Sequence, residues 1–254
     1  MKNKITIILF ISVLLLLLPF SQVRTLAAPK DLALQIVKKA DEVRSPRLDY
    51  IVDVVVTSIK PGRSNRTARY EVLVKGQEKT VIKTMAPAID RGTTLLMIGR
   101  DLWAFMPDLS KPIRISLQQR LIGDVANGDI ARANFSGDYT PRLLRTEEIK
   151  GNVYYVLELI ANDDRVTYGK VVYWVNKKNY HPLKAEFYAV SGRLLKRCSY
   201  EDYRRLAGRL RPTSLVLRNP LTKGRFSVIK YGRMKTKKLP SKYFTKNYMK
   251  RLKY

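Results

Sequence analysis

The sequence predicts a mainly β protein with few helices, built on a curled antiparallel meander. Three observations carry that prediction. About a dozen short apolar segments succeed one another between residues 48 and 236. Short stretches of turn residues join nearly all of them, which makes neighbouring strands antiparallel. One clear helix precedes them. A twisted sheet of this many strands curls rather than staying flat, so it acquires an inner face that helices plug or a cavity occupies.

The first thirty residues read as a leader. Lys2 and Lys4 make a positive start, residues 5–20 are uncharged and almost wholly apolar, and Thr25-Leu26-Ala27 puts small residues where a signal peptidase reads. That is the order of a secretory signal peptide spanning residues 1–27. An uncleaved membrane anchor is the second reading, disfavoured because the apolar run is shorter than the ~20 residues a span needs. Residues 28–254 are then expected to form one exported domain.

The segment 31–44 carries Ala33, Ile36, Val37, Ala40 and Val43 on one helical face, with Pro29 and Asp31 at its start and Pro46 at its stop. Strands follow at 48–59, 66–76, 79–86, 93–98, 102–106 and 113–116. Residues 117–135 break the pattern. Leu117, Leu121, Ile122 and Val125 have helical spacing that Gly123 and Gly128 interrupt, which predicts a short helix and a loop. Seven further strands run from "LLRTEEIK" to "RFSVIKYGRMK", and "LPSKYFTKNYMKRL" reads as a short terminal helix or an extended clamp. Several strands are apolar on both sides. In "VYYVLELIA", Val153, Tyr155, Leu157 and Leu159 alternate with Tyr154, Val156 and Ile160, so something must cover each face of the sheet.

Charge is the extreme feature of the composition. The chain has 49 basic and 21 acidic residues, a net of +28. The leader holds Lys2, Lys4 and Arg24 and no acid, so its removal leaves +25. Such a surface favours anionic partners, among them an anionic membrane surface or acidic envelope polymers. Export and the absence of a recognisable motif argue against nucleic acid.

Catalytic and metal chemistry lack their usual residues. Cys198 is the one cysteine and His181 the one histidine, which excludes a disulfide within the chain and a standard zinc site. No phosphate-cradling glycine loop is present. Glu147-Glu148, Asp163-Asp164 and Glu201-Asp202 are adjacent pairs, and strand neighbours point to opposite faces. The expectation is a protein that is not an enzyme and uses no cofactor.

"PAIDRGTTLLMIGRDLWAFMPDLSKPIRIS" (87–116) is the most distinctive stretch, with Pro87, Gly92, Gly99, Trp103, Phe105 and Pro107. With "GDVANGDIARANFSGDY", "HPLKAEFYAVSGRLLK", "YEDYR" and "LPSKYFT" it resembles the outer-membrane lipoprotein-sorting family, relatives of the periplasmic carrier LolA. The resemblance runs over nearly the whole mature chain. It implies a half-open β-barrel of about eleven strands plugged by helices. It implies a carrier of lipid or lipoprotein acyl chains, serving an inner-membrane transporter. The alternative is an envelope sensor or accessory module of a transport machine using the same cavity. On this reading Leu96, Ile98, Trp103, Phe105, Leu121 and Val125 are the candidate lining, and Arg100, Arg114 and Arg120 a basic rim. Where the better known carrier has an arginine and an aromatic that govern release, this chain reads "KTVIKTMAP".

Overall fold

The computed structural model describes residues 29–132 and 134–250. The leader at 1–27 lies outside the described residues. Helix α1 (Pro29–Arg44) forms where the apolar spacing predicts it and buries Ala33, Ile36, Val37 and Ala40. Asp31 in its first turn and Arg44 in its last match the helix dipole. Its C-terminal carbonyls are capped from the sheet. The Arg211 guanidinium donates to the carbonyl oxygens of Glu42 at 2.6 Å and Val43 at 3.0 Å.

Six strands follow: β1 (Tyr50–Ile59), β2 (Arg66–Lys75), β3 (Lys79–Ala86), β4 (Thr94–Ile98), β5 (Asp101–Phe105) and β6 (Ile113–Ile115). A crossing segment then holds β7 (Arg120–Ile122), β8 (Val125–Ala126), α2 (Asn127–Ala131) and α3 (Phe135–Asp138). Seven more strands complete the sheet: β9 (Tyr139–Ile149), β10 (Asn152–Ala161), β11 (Lys170–Asn176), β12 (Pro182–Tyr188), β13 (Leu194–Leu206), β14 (Arg209–Arg218) and β15 (Phe226–Thr236). A 3-10 turn (Ser241–Phe244) and α4 (Lys246–Met249) end the described chain.

Thirteen of these strands make one sheet in the order β6-β5-β4-β3-β2-β1-β15-β14-β13-β12-β11-β10-β9. Two meanders are joined where β1 pairs with β15, and that pairing is antiparallel like the rest. The count is two above the eleven or so that the resemblance implies. The sheet is curled and not closed. The β4–β5 turn and the β10–β11 connection would stand roughly 40 Å apart in a flat sheet. Yet Arg100 NH1 in the first donates to Asp163 Oδ2 in the second at 3.2 Å. Register shifts in β1, β10, β11 and β12 contribute the bending.

The edges β6 and β9 do not pair with each other; the crossing segment runs between them. Here the structure corrects the helical expectation for 117–125. Arg120–Ala126 is a β7–β8 hairpin turning at Gly123, whose φ is +58°. The Asp124 N–H donates to Ser227 Oγ at 3.0 Å, which ties the turn to β15. A positive φ next to a short turn defeats a helix, so the helix starts only at Asn127.

The face that carries α1 is the inner face. Val52, Val54 and Val56 of β1, Tyr173 of β11 and Leu215 of β14 join the α1 residues, Ile130 and Phe135 in one continuous buried cluster. The outer face holds two smaller clusters. One packs Leu239, Phe244 and Met249 of the C-terminal segment on Leu73, Val81, Leu96 and Phe105. The other is Tyr154, Val156 and Trp174. The expected clamp is therefore a cover for the outer face.

Candidate functional site

The inner face is almost full. Voids of about 20 and 30 Å³ lie within it among the described residues, and both touch Arg44, Tyr200 and Leu215. Each is of water size, far below the roughly 300 Å³ at which ligand pockets begin. Access for anything larger requires that a plug move.

A polar seam lies between the voids. Arg44 turns inward from the last turn of α1, with its guanidinium carbon 4.0 Å from the Phe135 ring centre and 5.9 Å from that of Tyr200. Asp41, one turn earlier, accepts the Ser136 N–H on Oδ2 at 2.7 Å, which links α1 to α3. Asp41 Oδ1, Arg44 NH1 and the Tyr173 hydroxyl have no hydrogen-bond partner among the described residues. Burial pushes Asp41 up to about 6, although the Arg44 charge and the Ser136 hydrogen bonds pull it down. Burial likewise raises the Tyr173 and Tyr200 hydroxyls well above their ordinary value.

Sequence reasoning missed this pair. The signal was present: Asp41 and Arg44 stand four residues after Val37 and Ala40, on the stripe that packs inward.

A second polar cluster closes the inner face near β8. The Tyr168 hydroxyl donates to Asp129 Oδ1 at 2.6 Å. The buried Lys196 ammonium pairs with Asp129 and donates to the Asp124 carbonyl at 2.9 Å. The Ala126 N–H donates to Asp129 Oδ2 at 2.8 Å. Tyr168 borders the 20 Å³ void on one side. It also borders two open hollows of about 580 and 250 Å³, which share Gln118 with it.

The sequence candidates divide. Trp103 and Phe105 do share one side of β5, but it is the outer side. Leu96, Ile98, Trp103 and Phe105 all pack in the cluster under the C-terminal segment, and Lys246 Nζ lies 4.1 Å from the Trp103 ring centre. Their neighbours Leu95, Met97, Leu102 and Ala104 are the ones that belong to the inner cluster. Val125 is buried in the inner cluster and Leu121 packs against it.

The three basic candidates have different surroundings. Arg100 is neutralised, with Nε on Asp138 Oδ1 at 3.1 Å and NH1 on Asp163. Arg114 is exposed and paired with Asp101. Arg120 is exposed and lines the smaller open hollow.

Other titratable groups have structural surroundings. The Cys198 thiol is buried and pushed up to about 12 by desolvation. His181 stacks on Tyr203 with ring centres 4.4 Å apart, and burial lowers its pKa. Among the described residues no group of three or more His, Cys, Asp or Glu is placed to hold a metal ion. No helix among them is long and apolar enough to cross a membrane.

A half-open antiparallel barrel with helices seated on its inner face defines a carrier-like fold class. The chain belongs to the LolA superfamily. It is 51% identical to a LolA superfamily protein from Nitrosomonas europaea, over 85% of this chain and 98% of that one, with a TM-score of 0.82. A family model described as an uncharacterized protein matches residues 76–251. Two more distant structures share the fold. A DUF1329 family protein from Desulfovibrio piger is 24% identical over 87% of this chain and 99% of its own, with a TM-score of 0.74. An outer membrane lipoprotein-sorting protein domain from Vibrio parahaemolyticus is 24% identical over 87% of this chain and 100% of its own, with a TM-score of 0.72. No curated protein sequence matches significantly.

Proposed function

We propose that this protein is a periplasmic carrier, not an enzyme, that holds lipid or lipoprotein acyl chains against its inner face. The observation that carries the reading is a continuous apolar inner face covered by helices, α1 and the short α2 and α3. Helix α1 contributes only two alanines, an isoleucine and a valine to that cluster, and its innermost charges leave polar atoms without a hydrogen bond. An acyl chain that replaces α1 gains about 0.8 kcal/mol per buried methylene. A chain of ordinary length therefore outweighs the helix contacts it displaces. No reacting group is needed for that exchange.

The test is native mass spectrometry on protein purified from its own envelope, with hydrogen exchange before and after delipidation. A lipid-sized mass that co-purifies, together with faster exchange in α1 when lipid is bound, supports the reading. A ligand-free protein that also fails to take up a fluorescent fatty acid overturns it.

A further inference from the structure

The two open hollows outside Tyr168 lie side by side and differ in character. The larger is lined by Ile160, Val166 and Val190, with Lys170 and Asp164. The smaller is lined by Arg120, Arg193, Lys196 and Leu221. Val190 is 81% and Leu221 77% exposed, so each hollow presents a large apolar side chain to solvent.

The charges of this rim do not cancel. Asp124 is held by Arg225 at 2.8 Å, Asp129 by Lys196 and Tyr168, and Asp163 by Arg165 and Arg100. Lys196 is spent on Asp129, and Lys170 lies 4.5 Å from the Tyr188 ring centre. Asp164 borders only the larger hollow. Arg120 and Arg193 are both exposed, and neither forms an ion pair with a described residue. Many other arginines, such as Arg100, Arg132, Arg142 and Arg145, do pair. An unpaired arginine pair beside an apolar trough complements an anionic headgroup joined to an acyl chain.

We propose that these hollows are the entry site for an anionic phospholipid. The phosphate sits between Arg120 and Arg193, and the first acyl chain lies along Ile160, Val166 and Val190. Tyr168 then stands between this site and the inner void. Release of its hydroxyl from Asp129 is the step that admits the chain. The inference rests on the carrier reading above, and it adds a ligand charge class and a place of entry.

The test measures binding of a fluorescently labelled phosphatidylglycerol and a phosphatidylcholine with the same acyl chains, near physiological salt. The wild type is expected to prefer the anionic lipid by about tenfold. Arg120→Gln/Arg193→Gln is expected to remove that preference and leave the zwitterionic lipid unaffected. Lys230→Gln/Lys235→Gln, an equal loss of exposed charge on β15, is expected to keep it. Val190→Asp weakens both lipids. Equal binding of the two lipids by the wild type, or a preference that survives the double arginine variant, overturns the entry site and leaves the carrier reading standing. Failure of both lipids to bind overturns the carrier reading itself.

Discussion

Asp41 and Arg44 stand one helical turn apart on the buried side of α1, with Asp41 Oδ1 3.5 Å from Arg44 NH1. That distance is an ion contact but too long and ill-aimed for a hydrogen bond, and both atoms lack one among the described residues. Burying two charges costs several kcal/mol per ion, and the attraction offsets this only when the remaining polar atoms are satisfied. The ion contact between the two therefore adds little, and this end of α1 is fastened by the Ser136 N–H on Asp41 and by Arg211 on the Glu42 and Val43 carbonyls.

Asp41 makes stability depend on pH. Its pKa is raised from 3.8 to about 6, so the folded state binds its proton more tightly than the unfolded chain does. The resulting stability is present below the unfolded value and is lost as pH rises through about 6. Between about pH 4 and pH 7.5 the wild type should lose up to about 3 kcal/mol relative to Asp41→Asn. Urea unfolding across that range measures it, and parallel curves for the two proteins would refute the assignment.

Asp138 is the anchor of the crossing segment. It accepts from Arg132 at 2.8 Å and from Arg100 at 3.1 Å, and Arg132 also donates to the Gly99 carbonyl at 2.8 Å. Asp138→Ala leaves a buried arginine without its carboxylate and should cost about 3–5 kcal/mol. Asp101→Ala, which frees the exposed Arg114, should cost no more than about 1 kcal/mol. Equal effects in denaturant unfolding would contradict this difference in burial.

The C-terminal segment should be a stability element of the outer face. Phe244 is buried against a cluster that contains Leu96 and Phe105. The Leu239 N–H and the Lys75 ammonium both donate to Asp49 at 3.0 Å, which ties the segment to β1 and β2. Phe244→Ala should cost about 3–5 kcal/mol. Ending the chain after Lys238 should also expose enough apolar surface to bind a hydrophobic dye. Unchanged thermal unfolding in both variants would show that the cover is dispensable.

Gly128 sits where α2 meets the β10–β11 connection. A β-carbon there would fall 1.9 Å from Thr167 Oγ1 and 2.9 Å from its Cβ. Gly128→Ala should cost about 1–3 kcal/mol, and Thr167→Gly in the same chain should recover most of it. Simple additivity of the two substitutions would argue against direct contact.

The strand pattern was legible because a half-buried strand alternates with period two, as β2 does in "RTARYEVLVK". α1 was legible for the parallel reason, with an apolar stripe bounded by prolines. The crossing segment was misread because apolar spacing at 117–125 matches a helix by chance, while Gly123 takes a backbone angle that ends one. The inward charges at 41 and 44 were legible in principle, since they fall on the buried stripe. The Tyr168–Asp129–Lys196 cluster was not, because its members lie on the β10–β11 connection, α2 and β13 and meet only through folding.

By itself the sequence determined the antiparallel meander, the long helix α1, the excess of positive charge and the family resemblance. Each is a local or summed property of the chain. Only the tertiary structure decided which apolar set faces inward. Leu95 and Leu96 are adjacent and equally apolar, so periodicity says only that they lie on opposite faces. What separates them is the surroundings: Leu95 joins the inner cluster that also holds α1, Ile130 and Phe135, and Leu96 lies under the C-terminal segment. Those elements are remote in sequence, and burial depends on what arrives in space.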